Sequence, residues 1–117
     1  MFTKEQINNL LSRQAKTYFD TYPNTYEDFA EQAKQIIINI VAIDLTDIPD
    51  WVKQPFVWIL DYLLQSQFTG QSQEILDLTE KHYKEALKIL SDKKSNSDKA
   101  SNAKVFYFNN DYRLENI

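Results

Sequence analysis

The chain has 117 residues, of which 43% are hydrophobic and 14% aromatic, with a formal net charge of −4 and a pI near 4.9. This length suggests one domain able to bury a core without staples, and the absence of Cys excludes disulfides and thiolate metal sites. The acidic balance argues against a generic nucleic-acid surface, while one Gly and three Pro favour helices over a turn-rich sandwich.

No basic segment leads into an apolar one near Met1, so no secretory signal is expected and the protein is expected to stay in the cell that makes it. The first helix is predicted over residues 4–20. Thr3 with Gln6 fits a capping box, and Ile7, Leu10, Leu11, Ala15 and Tyr18 recur on one side. Pro23 then keeps Tyr22 out of helical geometry and ends the segment.

A second helix is predicted over residues 25–44. Thr25 is its expected N-cap, with Glu27 and Asp28 in the first turn, where the helix dipole favours negative charge. Phe29, Ala33, Ile36, Ile37 and Ile40 give the period, yet the stretch Ile36 to Ile43 is apolar on nearly all sides. Its β-branched residues leave a strand open as the alternative there. Asp44, Asp47 and Asp50 follow at intervals of three. That is not the ligand spacing of an EF-hand, which also requires a Gly, and caps and loop solvation explain them; Asp47 is the expected cap of the next helix, with Pro49 in its first turn. Pro55 fits either an early turn of that helix or the boundary between a short lead-in and the main helix.

The chain is organised around the third helix, predicted over residues 49–67. From Phe56 to Leu64 it is apolar at every position except Asp61. It is too short to span a bilayer, which takes about 20 apolar residues, and too long for an ordinary strand. On a helical wheel Val52, Phe56, Ile59, Leu60 and Leu63 share a broad face, Gln54, Asp61 and Gln65 form a narrow polar stripe opposite, and Trp51, Trp58 and Tyr62 make a ridge beside that stripe. Either another helix of the same domain covers this ridge, or it is a contact surface for a partner, a role that large aromatics with one polar atom suit. On the second reading Trp58 sits at the edge of the core, partly open in the monomer and covered in an assembly.

Gly70 sits in the next connection, where a left-handed C-cap is its natural use. The fourth helix is predicted over residues 72–91, with Ile75, Leu78, Tyr83, Ala86 and Leu90 on one face and Glu80, Lys81, Lys84, Glu85 and Lys88 on the other. Residues 92–104 lack any large apolar side chain and read as a polar linker or mobile loop. Val105-Phe106-Tyr107-Phe108 is strand chemistry, predicted over 105–109 as the start of a C-terminal strand and arm, 105–117. A lone strand is not stable by itself, so it folds back on its own bundle or docks across a subunit boundary through Phe106, Phe108, Tyr112 and Arg113. The expected fold is thus all-α, a four-helix bundle-like domain over 1–91 with a short C-terminal β segment.

No P-loop, dinucleotide-binding glycines, or Ser, Cys or metal signature occurs. His82, the single histidine, projects onto the apolar face of the fourth helix and reads as a packed residue. No catalytic residue, cofactor or metal is expected.

In its order of features the chain resembles the small head–tail connector proteins of tailed bacteriophages, including the Mu-like head-completion family. The resemblance runs over about residues 26–117: a helix opening Tyr26-Glu27-Asp28-Phe29-Ala30, an acidic turn into Ile48-Pro49, a buried helix ending Leu60-Asp61-Tyr62-Leu63-Leu64, a helix with Tyr83 to Leu90 in the pattern Tyr-x-x-Ala-Leu-x-x-Leu, and an aromatic-Arg tail at Tyr112-Arg113. It implies a structural virion protein and not an enzyme. Identical subunits would form a ring between the portal protein and tail or stopper proteins, with DNA passing through the channel without sequence-specific binding and with no membrane partner. The competing expectation is a small cytosolic helical adaptor or regulator that binds one protein partner through the ridge of Trp51, Trp58 and Tyr62.

Overall fold

The computed structural model describes residues 1–68 and 70–105, with side chains through Lys94. Its five α-helices are α1 (Lys4–Ile7), α2 (Arg13–Thr21), α3 (Tyr26–Ile40), α4 (Lys53–Gln65) and α5 (Gln73–Val105), and single 3-10 turns lead into α3 and α4. The fold is all-α, and no strand occurs among the described residues.

The stretch expected to form one helix over 4–20 forms two. The capping box is present: Thr3 Oγ1 accepts from the Gln6 N–H at 3.3 Å, and Gln6 Oε1 accepts from the Thr3 N–H at 2.9 Å. After one turn the chain leaves the helix at Asn8 and Asn9, and Asn is a weak helix former. Ser12 then starts α2, its hydroxyl accepting from the Ala15 N–H at 3.2 Å. Thr25 stands before α3 without capping it; its hydroxyl donates to the Tyr22 carbonyl at 2.7 Å instead.

α3 ends at Ile40, four residues before the expected boundary, because Val41 turns extended at φ −138°, ψ 138°, a conformation that suits a β-branched side chain. The strand alternative for this segment fails, since Ile36 to Ile40 are helical. In the loop that follows, Asp44 accepts from the Thr46 hydroxyl and N–H at 2.7 and 2.9 Å, which holds its carboxyl below the usual range. Asp47 caps nothing: Pro49 stands at the N-cap of the lead-in turn, with no side-chain bond to it. Pro55 takes the third position of α4, where no intrahelical N–H is lost, and it is fully buried.

α4 is the hub. Val52, Phe56, Val57, Ile59, Leu60 and Leu64 are essentially without solvent contact, a wider buried arc than the sequence suggested, and Leu63 is half-buried. Phe2 meets Phe56 edge to face at 5.4 Å between centroids. The same core takes in Ile7, Ala15 and Phe19 from the N-terminal third, Ala33 and Ile37 from α3, and Ala86 and Leu90 from α5. α5 runs antiparallel to α4: Trp51 lies under Lys93, Trp58 against His82, and Gln65 beside Gln71.

The polar stretch 92–104, expected as a linker, is a continuation of α5. Its polarity was the weaker signal. Between Gln73 and Val105 there is no Gly or Pro, and an established helix propagates at little cost without an apolar face. The expected strand begins at Val105, which is the last residue of α5; the remainder, with Phe106, Phe108, Tyr112 and Arg113, lies outside the described residues.

Phe56→Ala, at the centre of this packing, is expected to cost about 3–5 kcal/mol of unfolding free energy. Urea denaturation measures it, and a loss under about 1 kcal/mol would place the core elsewhere.

Candidate interaction surface

The aromatic ridge of α4 faces α5. Trp58 stacks on His82 with centroids 5.0 Å apart and planes 13° from parallel, and Tyr62 stacks on Tyr83 at 4.0 Å and 14°. The Lys93 ammonium sits 5.2 Å from the centre of the Trp51 ring, a cation–π contact. Each of the three ridge residues is half-buried, so one face packs against the same chain and part of the other stays open. His82 is a packed residue, lodged beside Trp58.

The polar stripe of α4 also turns inward. Gln65 is almost fully buried. Its Nε2 donates to Gln14 Oε1 at 2.8 Å, and its Oε1 accepts from Gln71 Nε2 at 2.8 Å. One side chain thereby ties α2, α4 and the lead-in to α5. One turn earlier, Asp61 accepts from the Ser12 hydroxyl at 3.0 Å. Burial pushes the Asp61 carboxyl above the usual carboxylate range, against the opposing pull of the Ser12 and Gln65 hydrogen bonds and of nearby His82. At the other end of the core, Tyr26 donates to the Phe2 carbonyl at 2.8 Å, and burial raises its phenol well above the ordinary value.

Leu10 and Leu45 are exposed in connections between helices, and further open apolar side chains flank the connection from α4 to α5. Tyr18 is the centre of an aromatic cluster there, with the Tyr22 ring at 5.1 Å and Phe68 at 5.5 Å on the outside and Phe29 at 6.4 Å behind. Together with Arg13, Thr17 and Thr21, Tyr18, Tyr22 and Phe68 line a groove of about 620 Å³. Past Gly70, which needs its left-handed φ of 76° rather than space, the first turns of α5 expose Ile75, Leu76 and Leu78 at 40, 38 and 54% of their surfaces. Tyr22 is 55% exposed.

Sequence reasoning missed this end of the molecule. It assigned Tyr18, Ile75 and Leu78 to inward faces by period alone, and it read Tyr22 as a terminator. The available signal was positional: α4 stops at Gln65, so the turns of α5 nearest the connection have little of α4 to pack upon. Among the described residues no group of three or more His, Asp or Glu side chains is placed to hold a metal ion, and no helix is long and apolar enough to cross a membrane. Compared with known protein families, curated proteins and solved structures, the chain matches none.

Asp61 gives a pH signature. Its folded pKa is raised, so its favourable contribution is full only below the unfolded-state value and is lost as pH rises through the folded one. Asp61→Asn keeps an acceptor for Ser12 and removes the buried charge. The variant is expected to melt higher than the parent near pH 7, with the gap closing towards about pH 3. A variant that melts lower at neutral pH, with the deficit vanishing in acid, would show the charge to be stabilising.

Proposed function

We propose that the chain is a structural assembly subunit of the tailed-phage head–tail connector type, working at the head–tail junction of a virion. In this reading identical subunits form a ring that joins a portal protein to tail or stopper proteins. DNA passes through the channel, past an acidic protein of net charge −4, without sequence-specific binding.

The observation that carries the reading is the set of apolar side chains left exposed at the end of α2 and on the first turns of α5. Tyr22, Ile75, Leu76 and Leu78 are exposed on a small helical domain, and exposed apolar surface of this kind marks contact sites between proteins. The ordered features that resemble connectors support it: the Tyr83 to Leu90 pattern lies on α5, where Ala86 and Leu90 are buried in the core. A ring needs a heterologous contact in which two different patches of one chain meet, and the apolar side chains exposed on the first turns of α5 provide one of the two. The ridge of Trp51, Trp58 and Tyr62 supports an adaptor less well, because α5 occupies one of its faces.

Light scattering or native mass measurement tests the proposal. A closed ring, in solution or upon addition of a portal, is the expected result; a stable one-to-one complex with a protein foreign to virions would replace it with the adaptor. Leu78→Asp is expected to change folding stability by no more than about 0.5 kcal/mol while weakening assembly at least about tenfold, equivalent to ~1.4 kcal/mol. Unchanged assembly in that variant would exclude this end of the bundle as the contact.

A further inference from the structure

We propose that the groove formed by Tyr18, Tyr22 and Phe68 receives residues 106–117 of a neighbouring copy of the same chain. The inference deepens the assembly reading above and rests on it: it names the second patch that a heterologous ring contact requires.

α5 has 33 residues, so its axis is about 50 Å long at 1.5 Å per residue. The groove lies at the Gln73 end, since Phe68 lines it and Gln71, two residues before α5, is bonded to Gln65. Val105 is at the opposite end of that helix. Twelve residues, fully extended, cover at most ~40–43 Å. Residues 106–117 therefore cannot return to the groove of their own chain, and would have nothing left to dock if they came near it. The same length of chain projecting from the far end of α5 is well placed to meet another copy.

Three aromatic rings, Tyr18, Tyr22 and Phe68, line the groove beside Gln14, Thr17 and Thr21, with Arg13 as its one charged residue. No carboxylate among the described residues lies within ion-pair distance of Arg13. The segment contains Phe106, Tyr107, Phe108 and Tyr112, followed by Leu114 and Ile117, and its charged residues are Asp111, Arg113 and Glu115, two acidic and one basic. Aromatic side chains enter the space between Tyr18, Tyr22 and Phe68 in edge or offset contact, and an acidic residue of the segment meets Arg13. Each copy gives one segment and accepts one at the other end of its bundle. Such a head-to-tail contact closes into a ring or propagates.

The absence of Cys makes disulfide trapping specific. Full-length Thr17→Cys and Asn110→Cys chains are mixed and oxidised; Thr17 is exposed and lines the groove. A covalent heterodimer is expected, reduced at least tenfold when Tyr22→Asp is added to the Thr17→Cys chain. Thr21→Cys, on the same groove, serves as the second variant and should behave alike. A chain carrying both Thr17→Cys and Asn110→Cys is expected to give linked multimers. Three results overturn the proposal: a link within one chain in that double variant, a heterodimer indifferent to Tyr22→Asp, or self-association by light scattering without any heterodimer. The last would leave the assembly reading standing, whereas a chain that never self-associates, alone or with a portal, would remove both.

Discussion

The structure depends on the enclosure of α4. A helix apolar at nearly every position must be covered on nearly every side, and here the cover comes from α3, α5 and the N-terminal segment of the same chain. Enclosure forces a second condition. Asp61 and Gln65 stand on that helix, and a buried polar group without a partner costs about 1–3 kcal/mol, a large share of the 5–15 kcal/mol that holds a typical domain together. Ser12, Gln14 and Gln71 answer this demand. The positions of α2 and of the lead-in to α5 are therefore set as much by hydrogen-bond satisfaction as by apolar contact.

That arrangement decides which apolar groups remain for other proteins. Because α5 lies antiparallel along α4, it takes up the inner faces of Trp58 and Tyr62 through His82 and Tyr83. Because α4 ends at Gln65 while α5 starts after a turn through Gly70, the first turns of α5 and the end of α2 keep aliphatic and aromatic side chains in the open. α5 is 33 residues long and α4 is 13, and because Lys93 already stands over Trp51 ahead of α4, most of the surplus length of α5 lies between Lys94 and Val105.

Much of this was legible in the amino-acid order. The all-helical class, the capping box at Thr3, the hub from Phe56 to Leu64 and the packed His82 follow from period and local chemistry. The division of the first helix at Asn8 was not legible, because Leu10 and Leu11 sustain the apolar period across the break. The polar run 92–104 misled for a different reason: polarity reports what a helix can pack against, while Gly and Pro report where it ends, and none is present there. The polar stripe of α4 was placed on the wheel opposite the core face, but no wheel shows that Gln14 and Gln71 stand ready to receive Gln65. The candidate surface at Tyr18, Tyr22 and Leu78 depends on where neighbouring helices stop, which is a tertiary fact.

The enclosure of α4 is open to direct measurement by residue-resolved amide hydrogen exchange of the full chain under native conditions. The account predicts that backbone amides from Ile59 to Gln65 exchange slowest in the molecule, only through global unfolding, and that the Gln65 side-chain amide is protected with them. Amides of α4 that exchange as fast as those in the outer turns of α5, or a Gln65 side chain exchanging like a free amide, would contradict it.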